Sequence, residues 1–418
     1  MTEAAERQHP VPAYAWVVFA LTFGLLISDY MARQVLNAVF PLLKAEWALT
    51  DAQLGLLSGV VAIMVGLLTF PLSLVADRWG RVKSLTAMAI LWSLATLLCA
   101  IAGSYEQMLA GRILVGVGEA AYGSVGIAVV VSAFPKRLRA TLSAAFMAGA
   151  LLGQVLGVAV GGAVAASYGW RMAFLVIALS GLALAVLYPI LVGERRLADV
   201  AIRAGQQPYE RKQAFPKIGS LFAGRTIKCV YIGSGLQLFV AGALPAWLPT
   251  YFNRYYHLPI DGAASLAALF LAICGAGMVV CGMISDRLFN RPEQRVKLAV
   301  GYSLACALLL SAALMLPAGP PQLILLGLAI FLAAATAGPA GALVAGLTPA
   351  AIHATAFATL TLANNFLGLA PGPIVTGWLA DQVGLLGALR WLPLASIASA
   401  LVFLSARQSS RAEVAFAE

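Results

Sequence analysis

The chain has 418 residues, of which 61% are hydrophobic and 11% charged, and a formal net charge of +10. Such sparse charge cannot cover the surface of a water-soluble protein, so the composition excludes a soluble globular class and indicates a polytopic membrane protein. Cys99, Cys229, Cys274, Cys281 and Cys306 lie in apolar runs without a Cys-x-x-Cys pair, so neither a disulfide framework nor a metal site is expected.

The first twelve residues contain Glu3 and Glu6 and lack a basic stretch followed by a cleavage site, so no cleaved signal peptide is expected. Apolar segments then recur near residues 14–40, 52–76, 84–103, 107–134, 139–167, 172–192, 227–251, 262–285, 296–316, 322–347, 353–379 and 385–405. Each is long enough to cross a hydrocarbon core of ~30 Å. The expected fold is all-α, with twelve transmembrane helices in two six-helix bundles. The first bundle covers residues 1–192, a polar inter-bundle loop residues 193–225, and the second bundle residues 226–418. No ten-residue alternation of a membrane barrel is present.

In the first segment, Asp29, Arg33 and Asn37 recur at intervals of four and share a helix face. After the second comes Asp77-Arg78-Trp79-Gly80-Arg81, a short loop whose acid can cap a neighbouring helix while its arginines reach carbonyls or acids. The fourth holds Gly111–Gly123, with Arg112 and Glu119 seven residues apart on one face and Tyr122 just beyond. Ionisable groups at membrane depth are expensive, at about 2.5–3.5 kcal/mol or more each, which points to function; the alternative is an ion pair that merely holds helices together. The fifth segment has Gly149, Gly153, Gly157 and Gly161 at every fourth position, a stripe that lets two backbones approach.

The second half carries no charge at membrane depth. Its polar candidates are Tyr231 and Gln237 in the seventh segment and Thr361, Asn364 and Asn365 in the eleventh. Pro245, Pro249, Pro339, Pro371 and Pro373 mark possible kinks. The loop Ser285-Asp286-Arg287 repeats Asp77-Arg78, and Pro349 before the eleventh segment repeats Pro135 before the fifth, at offsets of 209 and 214 residues. Two copies of one six-helix unit in the same orientation are therefore expected. With both termini on the cytoplasmic side, that side receives 21 of the 27 Lys and Arg and the other only four. This fixes the expected orientation and makes the basic excess topological, aided by anionic membrane lipids, with no nucleic acid as partner.

These motifs resemble the major facilitator superfamily along essentially the whole chain. The loop at Asp77 is similar to its signature Gly-x-x-x-Asp-Arg-x-Gly-Arg, with Ser73 at the first glycine. Gly116-x-Gly118-Glu119-Ala120, Asp29-x-x-x-Arg33-Gln34 and Thr50-Asp51-x-Gln53 look most like the bacterial Spinster-like branch, with the anion:cation symporter branch as second choice. In the family's antiporter element, Gln154 stands where a proline is usual.

The resemblance implies a secondary carrier of the inner (plasma) membrane, not an enzyme, that works by alternating access without a cofactor and is expected to be monomeric. Asp29 and Glu119 are the expected proton-coupling pair. Arg33 and Arg112 either hold these acids or take an anionic substrate, small or lipid-like, with Asn37, Tyr122, Gln237, Asn364 and Asn365 as further substrate contacts. Asp77, Arg78, Arg81, Asp286 and Arg287 form the expected cytoplasmic latch. A receptor or scaffold on an inactive carrier fold would instead show a broken charge network or large soluble appendages.

Overall fold

The computed structural model describes residues 12–203, 224–289, 291–348 and 352–415. Among these, ten helices are long and apolar enough to cross a membrane, and a further pair, Thr355–Leu389 and Leu392–Ala406, meets at 73°. The first half comprises α1 (Ala13–Ala38), a short α2 (Phe40–Trp47), α3 (Asp51–Trp79), α4 (Arg81–Ile101), α5 (Tyr105–Glu119), α6 (Tyr122–Ala133), α7 (Lys136–Tyr168) and α8 (Trp170–Leu191). A short helix, α9 (Glu194–Arg203), lies at the start of the expected inter-bundle loop, most of which falls outside the described residues. The second half comprises α10 (Arg225–Tyr255), α11 (Ile260–Leu288), α12 (Pro292–Met315), α13 (Pro320–Ala333), α14 (Ala337–Leu347), α15 (His353–Asn364), a π-helix (Asn365–Leu369), α16 (Pro371–Leu389) and α17 (Leu392–Ala415).

Local chemistry sets several of these ends. Thr50 and Gln53 form a reciprocal capping box at the start of α3, and Ser104 accepts from the Gln107 amide at the start of α5. Gly80, at φ +111°, turns the chain between α3 and α4 in a conformation that favours glycine.

The fourth, tenth and eleventh expected crossings are interrupted within their length. The fourth breaks between α5 and α6 after Glu119, and the tenth breaks between α13 and α14 after Ala333, 214 positions later. The breaks therefore obey the repeat seen in the loops. Each frees carbonyls that need a donor from elsewhere. Thr69 Oγ1 lies 2.6 Å from the Ala120 carbonyl at the first break, and Gln237 Nε2 donates to Ala333 O at 3.2 Å at the second. The eleventh crossing holds the π-helix, a distortion common at functional sites.

Within the first half, α1 packs on α7 and α8; within the second, α10 and α12 pack on α17. The glycine stripe of α7 explains the first contact. Cβ atoms at Gly149, Gly153, Gly157 and Gly161 would run into Phe23, the Ile27 carbonyl, Met31 and Val35 of α1. The halves meet along α3 with α16, α7 with α11 and α1 with α10. A Cβ at Gly55 would collide with the Pro373 carbonyl, so the α3–α16 seam depends on that glycine.

Candidate functional site

The face of α1 carries Asp29, Arg33 and Asn37, of which Asp29 and Arg33 meet Glu119 of α5, and the break after Glu119 leaves that carboxylate at the end of a half-helix. Arg33 Nε lies 3.3 Å from Glu119 Oε2. Asp29 lies close enough to Glu119 and Arg33 for the three charges to act on one another. One atom of each group, Asp29 Oδ1, Glu119 Oε1 and Arg33 Nη2, has no hydrogen-bond partner. Arg33 keeps 20% of its side chain exposed, whereas the Glu119 side chain keeps 4%. A buried, half-satisfied ionic cluster is costly in a structural role, because stranded charged atoms forfeit the full desolvation penalty.

Arg112 is placed differently. Its guanidinium is fully buried and donates to the backbone carbonyls of Ala32 (2.9 Å), Arg33 (3.0 Å) and Leu57 (3.3 Å). It pins α1 to α3 rather than meeting Glu119, although the two share a helix face. Tyr122 is also fully buried, with its hydroxyl donating to Thr22 O at 2.7 Å and its ring edge-on to Trp92 at 4.9 Å.

In the second half, Gln237 is held at the tenth-crossing break. Asn364 Oδ1 accepts from Ser234 Oγ at 2.8 Å, and Asn365 Nδ2 donates back to Thr361 O at 2.9 Å. Asn365 and Phe366 face Gly66 of α3, so the π-helix stands at the seam between the halves.

The sequence profile of the Major Facilitator Superfamily matches residues 22–373. The chain belongs to that superfamily. It is a multi-pass membrane transporter and not an enzyme. It is 25% identical over 378 residues to the probable L-galactonate transporter of Escherichia coli (strain K12), covering 86% of this chain and 82% of that protein. It is 23% identical over 388 residues to the hexuronate transporter of Bacillus subtilis (strain 168), covering 88% of each. Among solved structures, a bacterial homologue of the human lysosomal transporter Spinster, inward-facing and unoccupied, superposes with a TM-score of 0.82 at 19% identity, over 96% of this chain and 98% of that one.

Two features of the superfamily fold escaped the sequence reading. The first is a clamp on the face opposite the chain termini. Arg254 of α10 grips Asp51 of α3 with both terminal nitrogens, at 2.8 and 2.7 Å, and Lys44 adds a bond of 2.6 Å. Asp381 of α16 accepts from the backbone amides of Asp51 (2.7 Å) and Ala52 (2.9 Å), so an acid of the second half caps a helix of the first. Beneath the clamp, Phe40 packs on Trp247 at 5.2 Å, and the Trp247 indole donates to Pro373 O at 3.1 Å.

The second concerns the expected latch on the opposite face. The carboxylate that caps α4 there is Glu194 of α9, which accepts from the Val82 amide at 2.8 Å, so this role is not filled by Asp77. Asp286 lies 3.4 Å from Arg295 within its own half. The expected loops are helix ends: Asp77 and Arg78 lie in the last turn of α3, Arg81 opens α4 after Gly80, and Asp286 and Arg287 lie in the last turn of α11.

Proposed function

We propose that the protein is a proton-coupled carrier of organic anions in the bacterial-type inner membrane, with both termini cytoplasmic. In this reading residues 1–192 and 226–418 rock about the site as two bundles, and the clamp at Asp51 closes the periplasmic side. The relatives named for L-galactonate and hexuronate move sugar acids, which favours a small carboxylate over a lysolipid-like anion.

The observation that carries the reading is the cluster of Arg33, Glu119 and Asp29. While both acids are ionised, they offset Arg33 and Arg112, and an entering anion meets no net positive charge. Protonating Glu119 releases the Arg33 guanidinium, which can then take a carboxylate in fork geometry. Proton and anion thus share one group, and that sharing is the coupling. Arg112 serves as the support that holds the α1 backbone, while Asn37, Asn364 and Asn365 supply the neutral contacts.

Counterflow of D-galactonate and of D-glucuronate into proteoliposomes, measured across external pH, tests this. Wild type should show pH-dependent uptake driven by an inward proton gradient. Glu119→Gln and Asp29→Asn should keep exchange but lose the gradient effect. Unaltered proton dependence in both variants would remove the coupling mechanism. A receptor or scaffold would show no counterflow at all.

A further inference from the structure

We infer that Asn37 makes the site selective for carboxylates that carry a hydroxyl group a few carbons from the acid. This rests on the reading of Arg33 as the anion receptor and adds a specificity-determining residue to it. Asn37 lies one helical turn beyond Arg33 on the same face of α1, which puts the two side chains about 5–6 Å apart at Cβ. It is 3% exposed, and its Nδ2 donates to Gln34 Oε1 at 2.6 Å. Gln34 Nε2 in turn donates to Gln154 Oε1 of α7 at 3.4 Å.

The relay has a direction. Gln34 turns its amino group toward Gln154 of α7 and its oxygen toward Asn37. Asn37 then spends its amino group on Gln34 and is left with Oδ1, a buried acceptor without a partner. Gly157 gives the relay room, since a Cβ there would lie 3.0 Å from the Gln34 Cβ. Three residues beyond Asn37, Phe40 meets Trp247 of the second half.

The site therefore offers one free cationic donor, Arg33 Nη2, and one orientation-locked neutral acceptor a turn away. A bare carboxylate supplies acceptors only. It satisfies Arg33 and leaves Asn37 Oδ1 stranded. A hydroxyl on a nearby carbon supplies the missing donor and frees the protein of a buried unsatisfied group. An ammonium group could donate as well, but it would stand beside the Arg33 cation.

The test is thermal stabilisation of the purified full-length protein by matched acids: lactate with propionate, 3-hydroxybutyrate with butyrate, and D-gluconate with hexanoate. In wild type, the hydroxylated member of at least one pair should bind about tenfold more tightly, the effect of about one hydrogen bond. Asn37→Leu should bring that ratio close to one. Gln154→Leu, which keeps Asn37 but unlocks its orientation, should lower the ratio to an intermediate value. Equal binding within every pair by wild type, or a ratio unchanged in Asn37→Leu, overturns the inference and leaves the anion reading intact. Stabilisation by neither member of any pair overturns the anion reading itself, and the inference with it.

Discussion

The clamp on the face opposite the termini yields a prediction with a magnitude. Asp51 is 4% exposed and accepts two hydrogen bonds from Arg254 and one from Lys44. Lys44 belongs to the same half and can stay with Asp51 when the halves part. Of these hydrogen bonds, the Arg254 fork and the two amides held by Asp381 cross between the halves. A hydrogen bond to a charged group is worth about 1.5–3 kcal/mol, but Arg254 and Lys44 are 28% and 36% exposed, so solvent screens the pair. We take about 2 kcal/mol for the loss of the fork in Asp51→Asn, which retains the shape. At 1.4 kcal/mol per tenfold, this raises the open-to-closed ratio about 30-fold.

Spin labels at Tyr168→Cys and Asp261→Cys report it. These exposed sites stand at the ends of α7 and α11 on the clamped face, one in each half. The longer distance should grow at the expense of the shorter in Asp51→Asn. It should grow less in Asp381→Asn, which weakens a cap worth about 1 kcal/mol. Distance distributions identical to wild type in both variants would refute the assignment of the clamp as the element that holds this face shut.

Arg112→Lys should lower the melting temperature markedly, because a lysine cannot serve three backbone carbonyls from one buried position; Arg33→Ala should abolish stabilisation by carboxylates. Differential scanning fluorimetry with and without D-galactonate separates the two roles, and a ligand response retained in Arg33→Ala would contradict them. Glu46, on α2, is held below the ordinary carboxylate range first by the Trp170 indole N–H and then by Arg171. A depressed folded-state value adds stability above the unfolded one, about 4.3, and that stability fades as pH falls through the folded value. Glu46→Gln should therefore melt below wild type at pH 7, and the gap should close on acidification; a gap that widens toward low pH would reverse the sign. Gly55→Val, at the α3–α16 seam, should leave each half folded but wedge them apart, so counterflow should fall steeply with little change in circular dichroism.

Period and repeat made the crossings, their duplication and the buried acids legible before any coordinates. Asp29, Arg33 and Asn37 are four apart, and helical geometry alone puts them on one face. The break after Glu119 was not legible: it falls at Ala120-Ala121, residues that favour a helix, so tertiary packing overrides propensity there. The break after Ala333 was signalled by Pro339, which lies in the first turn of α14 and cannot donate back across Ala334–Thr336. Arg112 shows a different limit. Its spacing from Glu119 predicts a shared face, but the Ala32, Arg33 and Leu57 carbonyls that hold it are backbone groups, identical at every position of a sequence. The clamp was hidden by distance, since Asp51 and Asp381 are 330 positions apart and each reads alone as an acid at a helix end.

The duplicated breaks show how the labour divides between the halves. At the first break stands Glu119, an acid that meets Arg33. At the equivalent position of the second stands Ala333, whose carbonyl is satisfied by the neutral amide of Gln237. The same kink thus occurs in both halves, and an ionisable group stands at one of the two. A second buried charge cluster at the Ala333 break would carry its own desolvation cost in every conformation, whereas a neutral amide meets the freed carbonyl without that cost. The second half can then act as a wall and a lever. It contributes Arg254, Trp247 and Asp381 to one face and the π-helix at the seam, while the acids proposed to titrate stand on α1 and α5. Coupling in this arrangement needs only that Arg33 have two alternative partners, Glu119 or an anion, and that the α3–α16 seam open when it changes from one to the other.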